Sequence, residues 1–524
     1  MMEHPHTATT SKTWREISII VLAVLVLGGP TLAYPFARDQ GEYAWIATSA
    51  LHGKVIYSEV FNVKPPLTYL IHEAAILLFG HYMISIRILD LLWQGVTAFL
   101  IFSIAKKISL NSFAPVLAAI LYLIMYYTAP FRTTAQTDGF LNLPVAAFIL
   151  LFLYAEAQNR LSYYAISGVA IGLAVLFKYP IGILLPFLAM LAILKMKKDG
   201  ITPVLFMGFG ALLPLGCCAI LMFLGGSLND FMWTQFTYIS KYSTIPWREL
   251  GYINSVPFIY LLQLAYPSVG WISLCSWLGL VTFPVRMRVI PTYVIALWWI
   301  AAAIHFIIQN KFYTYHILPL YAPLALMLAY FFMDELPVLN RNRLTFGLMG
   351  IYLVVYPFFL SDFPQKYIRA WSVLAGRNSL QTVYASEVFG KYNAGTDFSS
   401  RADMEVADYV AAHTQPDEKI FIWGFEPEVY FLSQHENATR FIYNFPLYGP
   451  YAIGTLQQEF IRDLKAQQPV YILIVKNDAI PHVTATQQDS WAGYKSFNEF
   501  YDFVSRYYHF ETTIEDFLIY RIDK

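Results

Sequence analysis

Over the first 362 residues, long apolar runs alternate with short polar segments. A membrane-spanning helix needs about 20 mostly apolar residues. Runs at 17–35, 86–105, 112–130, 139–156, 162–177, 180–194, 202–224, 256–284, 290–308, 317–333 and 344–361 meet or approach that length. The segment "PPLTYLIHEAAILLFG" (65–80) is also apolar, but it opens on a double proline and carries His72 and Glu73 near its middle. A charge at the bilayer centre costs about 2.5–3.5 kcal/mol, so this segment is predicted to lie at the interface. The run at 17–35 follows Lys12 and Arg15, is long, and lacks a small-x-small cleavage pattern, which predicts an uncleaved first span. The pattern therefore predicts eleven spans.

The basic residues test that count. With the N-terminus inside, Lys12 and Arg15, Lys106 and Lys107, Arg160, Lys195 with Lys197 and Lys198, Arg286 and Arg288, and Arg341 and Arg343 all fall on one side. This is the asymmetry expected of cytoplasmic loops. Counting 65–80 as a span would move Lys106 and Lys107 outside. Residues 36–85, 131–138, 225–255, 309–316 and everything after 362 are then predicted to lie outside.

From 363 onward the period changes. "KIFIWG" (419–424), "PVYILIV" (469–475) and "FLIYRI" (517–522) read as buried strands. Residues 401–413, 453–467 and 497–508 read as amphipathic helices. The predicted organisation is a polytopic α-helical membrane domain over 1–362 and an exported α/β domain over 363–524, a usual domain size.

Composition agrees. The chain of 524 residues is 57% hydrophobic and 13% charged, with a mean hydropathy of +0.48. Soluble domains carry about 25% charged residues, so lipid must solvate most of this chain. Lysine plus arginine and aspartate plus glutamate balance at 35 each, which gives no sign of a nucleic-acid partner. Cys217, Cys218 and Cys275 sit in apolar runs, without disulfide or metal spacing, and read as small residues in helix packing.

Charges cluster in the stretch "YPFARDQGEYAWIATSALHGKVIYSEVFNVKPPLTYL", which holds Arg38, Asp39, Glu42, Glu59 and Lys64. Within it, Tyr43, Ile46, Ala47, Ala50 and Leu51 form one helical stripe, predicting a second interfacial helix. Asp39 stands at the start of that helix, where a carboxylate also serves as a cap. Other outer segments place Arg132, Gln136 and Asp138, then Lys178, then Lys311, Tyr313, Tyr315 and His316 at membrane edges. Snorkelling accounts for one or two such cations. Carboxylates beside several cations at an outer membrane edge suit a lipid-borne phosphate: cations hold the anionic leaving group and a carboxylate takes a proton from the attacking hydroxyl.

These residues carry a resemblance. The pieces "RDQGEYAWIATSALHGKVIYSEVFNVKPPL", "RILDLLWQGVTAFLIFSIAKK", "TDGFLNLP", "GLAVLFKYPIGILLP" and "YHILPLYAPLAL", in this order over most of the first 330 residues, resemble the GT-C glycosyltransferases. The similarity is to the bacterial members akin to protein O-mannosyltransferases and the lipid A aminoarabinose transferase. It implies a GT-C fold and inverting transfer from an undecaprenyl-phosphate sugar to a glycan, lipid or protein acceptor. Under it, Asp39 matches the first-loop aspartate that acts as base or orients the acceptor. Lys64 in "KPPL" and Lys178 in "FKYP" match cations near the carrier phosphate, and Asp138 in "TDG" matches the second-loop acid. Relatives often have Asp-Glu where this chain has Asp39-Gln40, so a second carboxylate role would fall to Glu42 or Asp138. Arg132 and Lys311 are further candidates for the phosphate, and Gln40, Tyr43, Tyr313, Tyr315 and His316 for lining the substrate.

His52, His72, His81 and His316 form no two-histidine ligand spacing, so neither metal nor other cofactor is expected. Glu426 and Glu428 in "WGFEPEVY" read as a turn after a strand. Asn437-Ala438-Thr439 is a sequon, but without a retention signal at the C-terminus a bacterial inner membrane is the expected location. The competing readings are a lipid-linked sugar transporter, a polysaccharide polymerase or ligase, and a non-catalytic scaffold. Charges at the outer edge rather than at midplane, and no inverted repeat, speak against a transporter.

Overall fold

A computed structural model describes residues 5–109, 111–196, 200–244, 290–311, 313–335, 363–386, 389, 398–449, 453–484 and 486–523. The predicted spans at 256–284 and 344–361 lie outside these residues. Each of the other nine predicted spans holds a helix. Among the described residues, six helical segments are long and apolar enough to cross a membrane: Thr13–Ala33, Met83–Ile108, Thr137–Gln158, Ile201–Leu224, Pro291–Ile308 and Thr314–Met333. Ala114–Tyr127, Leu161–Phe177 and Tyr179–Lys195 are shorter apolar helices, as is Leu67–Phe79. At about 1.5 Å per residue, the 13 residues of Leu67–Phe79 are too short for a hydrocarbon core of about 30 Å. The chain is thus a polytopic helical membrane protein that also carries a small sheet.

The chain divides into two compact units. One gathers Met1–Ala33, Arg87–Cys218 and Pro257–Trp371; the other gathers Tyr34–Ile86, Ala219–Val256 and Ser372–Lys524. Contact therefore groups residues 34–86 with the C-terminal region, a division different from the sequence boundary at 362.

In the first unit, helices Asn142–Gln158 and Leu161–Phe177 are joined at Asn159, whose φ of 50° and ψ of 45° turn the chain back on itself. Leu161–Phe177 meets Ile201–Leu224 through glycines. A Cβ at Gly168 would come within 2.0 Å of the Met207 carbonyl oxygen, and one at Gly210 within 2.0 Å of that of Ala165. Small residues let the backbones approach in this way. Cys217 is exposed instead and Cys218 half-buried, Cys275 lies outside the described residues, and at this contact glycine takes the packing role expected of the first two. Phe209, Leu212 and Leu213 of the same helix are exposed, a face that only lipid solvates favourably. Charged pairs mark the opposite end from Lys178: Lys106 lies 3.0 Å from Glu16, Lys195 2.6 Å from Glu156, and Lys107 over the Tyr154 ring.

In the second unit the strands are β1 (Ile420–Trp423), β2 (Tyr471–Val475), β3 (Tyr508–Ile514) and β4 (Phe517–Ile522), in the order β1-β2-β4-β3. β1 and β2 are parallel, from Ile420 opposite Tyr471 to Trp423 opposite Ile474, and wholly buried. β4 runs antiparallel to β2 and to β3. Helices Ser400–His413, Gly454–Gln467 and Asn498–Tyr507 form close to where periodicity placed them. β3 escaped prediction because it is an edge strand in which only Tyr508 is buried, with the polar sequence YHFETTI. Phe421, Trp423, Phe460 and Phe500 pack ring against ring as the core on the sheet.

Candidate functional site

Each unit holds a cluster of the predicted residues. In the unit with the sheet, helix Arg38–Leu51 follows Ala37, whose backbone is extended. The Ala37 N–H donates to Gln40 Oε1 at 3.0 Å. Gln40, named above as a substrate-lining candidate, therefore caps its own helix, and Asp39 stands in the first turn without being the cap residue. Every residue from Gln40 to Ser49 is buried. The predicted interfacial stripe is thus corrected: the helix is packed all round, against Leu67–Phe79 and against a short helix Glu428–Ser433.

The contacts with Glu428–Ser433 explain "DQGEYAW". A Cβ on Gly41 would meet Glu428 Cβ at 2.5 Å and Cα at 2.8 Å, so only glycine allows this approach. Trp45 stacks on Tyr430 and donates its indole N–H to Asn437 Oδ1 at 3.1 Å, which engages the sequon asparagine in packing. Arg38 donates through Nε to the Phe425 carbonyl at 2.8 Å and through Nη2 to Glu426 Oε1 at 2.5 Å.

Lys64 is positioned through its backbone. Its N–H donates to the Tyr69 hydroxyl at 3.2 Å and its carbonyl accepts from the Tyr57 hydroxyl at 2.7 Å. Its ammonium lies 5.7 Å from the centre of the Tyr43 ring. Pro66 then caps Leu67–Phe79, so "KPPL" delivers Lys64 at a helix start. Glu42 is buried and its pKa is pushed up to about 8, chiefly by desolvation; Lys64 opposes the shift and Asp39 adds to it. The structure thus gathers Asp39, Glu42, Tyr43 and Lys64, and holds Glu42 mostly protonated at neutral pH. A carboxyl in that state donates a hydrogen bond and is a poor base. Glu59 instead accepts the Val55 N–H at the exposed surface.

Glu42 also yields a pH prediction. The folded chain keeps a proton that the unfolded chain releases at an ordinary pKa of 4.5. Its contribution to stability is then full below 4.5 and declines as pH rises to about 8. The decline amounts to a few kcal/mol, at about 1.4 kcal/mol per pH unit. Glu42→Gln is expected to raise the melting temperature at pH 8.5 and to change it little at pH 4.5. Equal shifts at both values, in thermal unfolding of the detergent-solubilised protein, would count against the buried neutral carboxyl.

In the other unit the centre is Asp138, which is 0% exposed. Lys178 Nζ lies 3.0 Å from Oδ2, His305 Nε2 3.0 Å from Oδ1, and Gln309 Nε2 donates to Oδ1 at 3.4 Å. The antiparallel helix pair explains the first contact: Asp138 precedes one helix, Lys178 ends the other, and both stand at the same end. Tyr315 lies under the Lys178 ammonium, with ring contacts among Tyr313, Tyr315 and His316. Lys311 is buried and its pKa is lowered to about 8 by desolvation. Arg132 is exposed, in a single 3-10 turn.

Sequence reasoning missed His305 and Gln309. His305 lies inside an apolar span and Gln309 one residue past its end, and the spacing of four brings both to one side of that helix end, the signal that should have marked them. It also missed the support for the Asp138 loop. Arg87 donates to Thr134 Oγ1 at 2.8 Å, Trp93 to the Phe140 carbonyl at 2.8 Å, and the Ala135 N–H to the Tyr126 hydroxyl at 3.1 Å. Tyr126 in turn donates to Asp90 at 2.7 Å.

Comparison with known proteins places these residues in a context. Residues 63–222 match the family described as dolichyl-phosphate-mannose-protein mannosyltransferase. The chain is 24% identical over 372 residues to an undecaprenyl phosphate-alpha-4-amino-4-deoxy-L-arabinose arabinosyl transferase of Serratia proteamaculans, covering 66% of this chain and 64% of that one. It is 23% identical over 313 residues to a second such transferase, from Proteus mirabilis, covering 56% and 55%. The chain thus spans less than two thirds of the length of these curated relatives. Among solved structures, ArnT from Cupriavidus metallidurans, determined with undecaprenyl phosphate bound, superposes with a TM-score of 0.59 at 15% identity, over 98% of both chains. The fold is that of this membrane transferase, and the resemblance drawn from the motifs is upheld.

Proposed function

We propose that this chain is an inverting membrane glycosyltransferase that moves a monosaccharide from a polyprenyl-phosphate carrier to a glycan, lipid or protein acceptor. The observation that carries the reading is the placement of Lys64: two tyrosine hydroxyls fix its backbone, in the same unit as Asp39 and beside a carboxyl held neutral. The relatives named for undecaprenyl-phosphate donors, and the related fold determined with that lipid bound, support the donor class.

In this mechanism the acceptor hydroxyl oxygen attacks the anomeric carbon while the bond from that carbon to the phosphate oxygen breaks. Polyprenyl phosphate leaves with the electron pair, and Asp39 takes the hydroxyl proton. Lys64 holds the phosphate as negative charge builds on the leaving oxygen. Glu42, protonated, donates a hydrogen bond and leaves the base role to Asp39. Asp138 is a positioning residue that holds Lys178 and His305. Lys178, Arg132 and Lys311 remain further phosphate candidates, and Tyr43, Tyr313, Tyr315 and His316 substrate-lining ones. The catalytic membrane domain is assigned to 1–362 and an extracytoplasmic α/β domain to 363–524, in a bacterial inner membrane with the N-terminus cytoplasmic.

Lys64→Gln tests the donor site. The carrier phosphate is anionic before and after transfer, so its loss should weaken both lipid binding and turnover. The expected result is a Kd for undecaprenyl phosphate at least tenfold higher, measured on reconstituted protein; wild-type affinity would remove Lys64 from the site. Topology is tested with a membrane-impermeant thiol reagent on cells. A cysteine at Arg401 should label and one at Arg160, on the predicted cytoplasmic side, should not; both positions are exposed, so the reverse pattern would overturn the orientation.

A further inference from the structure

Behind the helix that carries Asp39 lies a group of charges with no part in the mechanism above. Asp403, Glu426 and Glu428 are each at most 2% exposed. One carboxylate oxygen from each lies within 4.8 Å of the other two. The sequence suggested a turn at Glu426 and Glu428, because "FEPE" follows a strand. Glu426 does stand in the bend after β1, while Glu428 opens helix Glu428–Ser433 just after Pro427, and that helix is pressed onto Gly41, which shuts both carboxyls away from water. Arg38 binds Glu426 through Oε1 alone. Among the described residues, no N–H or hydroxyl donor of another residue reaches Glu426 Oε2, Asp403 Oδ2 or either carboxylate oxygen of Glu428; only the Asp403 and Glu428 carboxyls face each other. Nearby Asp478 is already engaged, accepting the Ser490 N–H at 2.7 Å and its hydroxyl at 2.5 Å.

One guanidinium meets three carboxyls in a site closed to solvent. Buried carboxylate charge is neutralised by protons unless it is paired or coordinates a metal. The donors are all carboxylate oxygens, a set that suits hard divalent cations and not zinc or copper. Two ligands of one Ca²⁺, each at a bond length of about 2.4 Å, are at most about 4.8 Å apart. The spacing of these oxygens falls within that limit.

We propose that Asp403, Glu426 and Glu428 form a binding site for a single hard divalent cation, of the Ca²⁺ class, that fastens helix Arg38–Leu51 to the α/β region of its unit. The ion would take Glu426 Oε2, the oxygen Arg38 does not use, with Glu428 and Asp403 completing its protein ligands. Arg38 and Gly41 flank Asp39 and touch Glu426 and Glu428 respectively, so the cation would brace the turn that presents Asp39. The site is defined by its own residues and does not depend on the transferase reading.

The test uses the full-length protein in detergent, stripped with EDTA, desalted and titrated with CaCl₂ or MgCl₂. The expected result is one tightly held Ca²⁺ per chain by elemental analysis, with Mg²⁺ bound more weakly. Thermal unfolding should shift upward by about 3 °C at a hundredfold excess over the Kd. Glu428→Gln and Asp403→Asn should each lose the ion and the shift, while Glu405→Gln, on the exposed face of the same helix as Asp403, should keep both. If either variant does not fold, the wild-type ion count decides alone. No stoichiometric ion in the wild type, or an ion retained in folded Glu428→Gln, would overturn the site and leave the carboxyls neutralised by shared protons.

Discussion

Asp39→Asn is expected to lower turnover by about 10²–10⁴-fold, the usual contribution of a positioned general base, with undecaprenyl-phosphate binding nearly unchanged. The amide keeps the shape of the carboxylate but cannot take the acceptor's proton. The structure makes the substitution informative. Gln40 caps the helix at Ala37, and Arg38 ties its first residue to Glu426, so the turn does not rely on Asp39 for its cap. A loss of the helix-terminus charge costs only about 0.3–1 kcal/mol. Steady-state transfer from a purified polyprenyl-phosphate sugar, with lipid binding and melting temperature on the same preparation, separates the roles. Near-normal turnover with a slightly lower melting temperature would return Asp39 to helix stabilisation alone.

The second large effect concerns Asp138 and Lys178. Removing one partner of a buried ion pair leaves the other charge unpaired, which costs about 3–5 kcal/mol. Lys178→Met strands a carboxylate that is 0% exposed with only His305 and Gln309 as donors. The double variant Asp138→Asn/Lys178→Met removes both charges and should be more stable than either single one. The expected coupling is about 1–3 kcal/mol by a double-mutant cycle on thermal unfolding. Additive costs would mean that the two charges are held independently. The pair also alters what Lys178 offers a phosphate: an ammonium 3.0 Å from a carboxylate has much of its charge offset locally. Lys64→Gln is therefore expected to reduce lipid binding more than Lys178→Gln does.

Much of this molecule follows from the order of its residues alone. Apolar periodicity reports how each segment is solvated, and that is a local property. It located a helix at each of the nine predicted spans that are described, three of the four described strands, and the longer helices Ser400–His413, Gly454–Gln467 and Asn498–Tyr507, but not the short helices Glu428–Ser433 and Ser490–Ser496. It also separated Leu67–Phe79 from the spans, because length and the mid-run charges His72 and Glu73 are legible one segment at a time. The motifs marked Asp39, Lys64, Asp138 and Lys178 by position.

What those residues do to one another was decided only by tertiary packing. Lys178 meets a carboxylate 40 residues earlier, His305 meets the same one across 167 residues, and Arg38 reaches Phe425 across 387. No window along the chain contains such pairs, so no local pattern could predict them. The same holds for Glu42. As a residue type it is an acid beside Asp39, and its pKa near 8 comes from complete desolvation inside a fold that closes on it from several segments. Gln40 read as a substituted catalytic position, and the backbone geometry at Ala37 made it a cap. Glu426 and Glu428 read as a turn after a strand, and their burial became visible only where Gly41 lets helix Glu428–Ser433 approach. Solvation preference is written residue by residue, whereas the energy of a charge depends on what surrounds it, and only the folded chain supplies those surroundings.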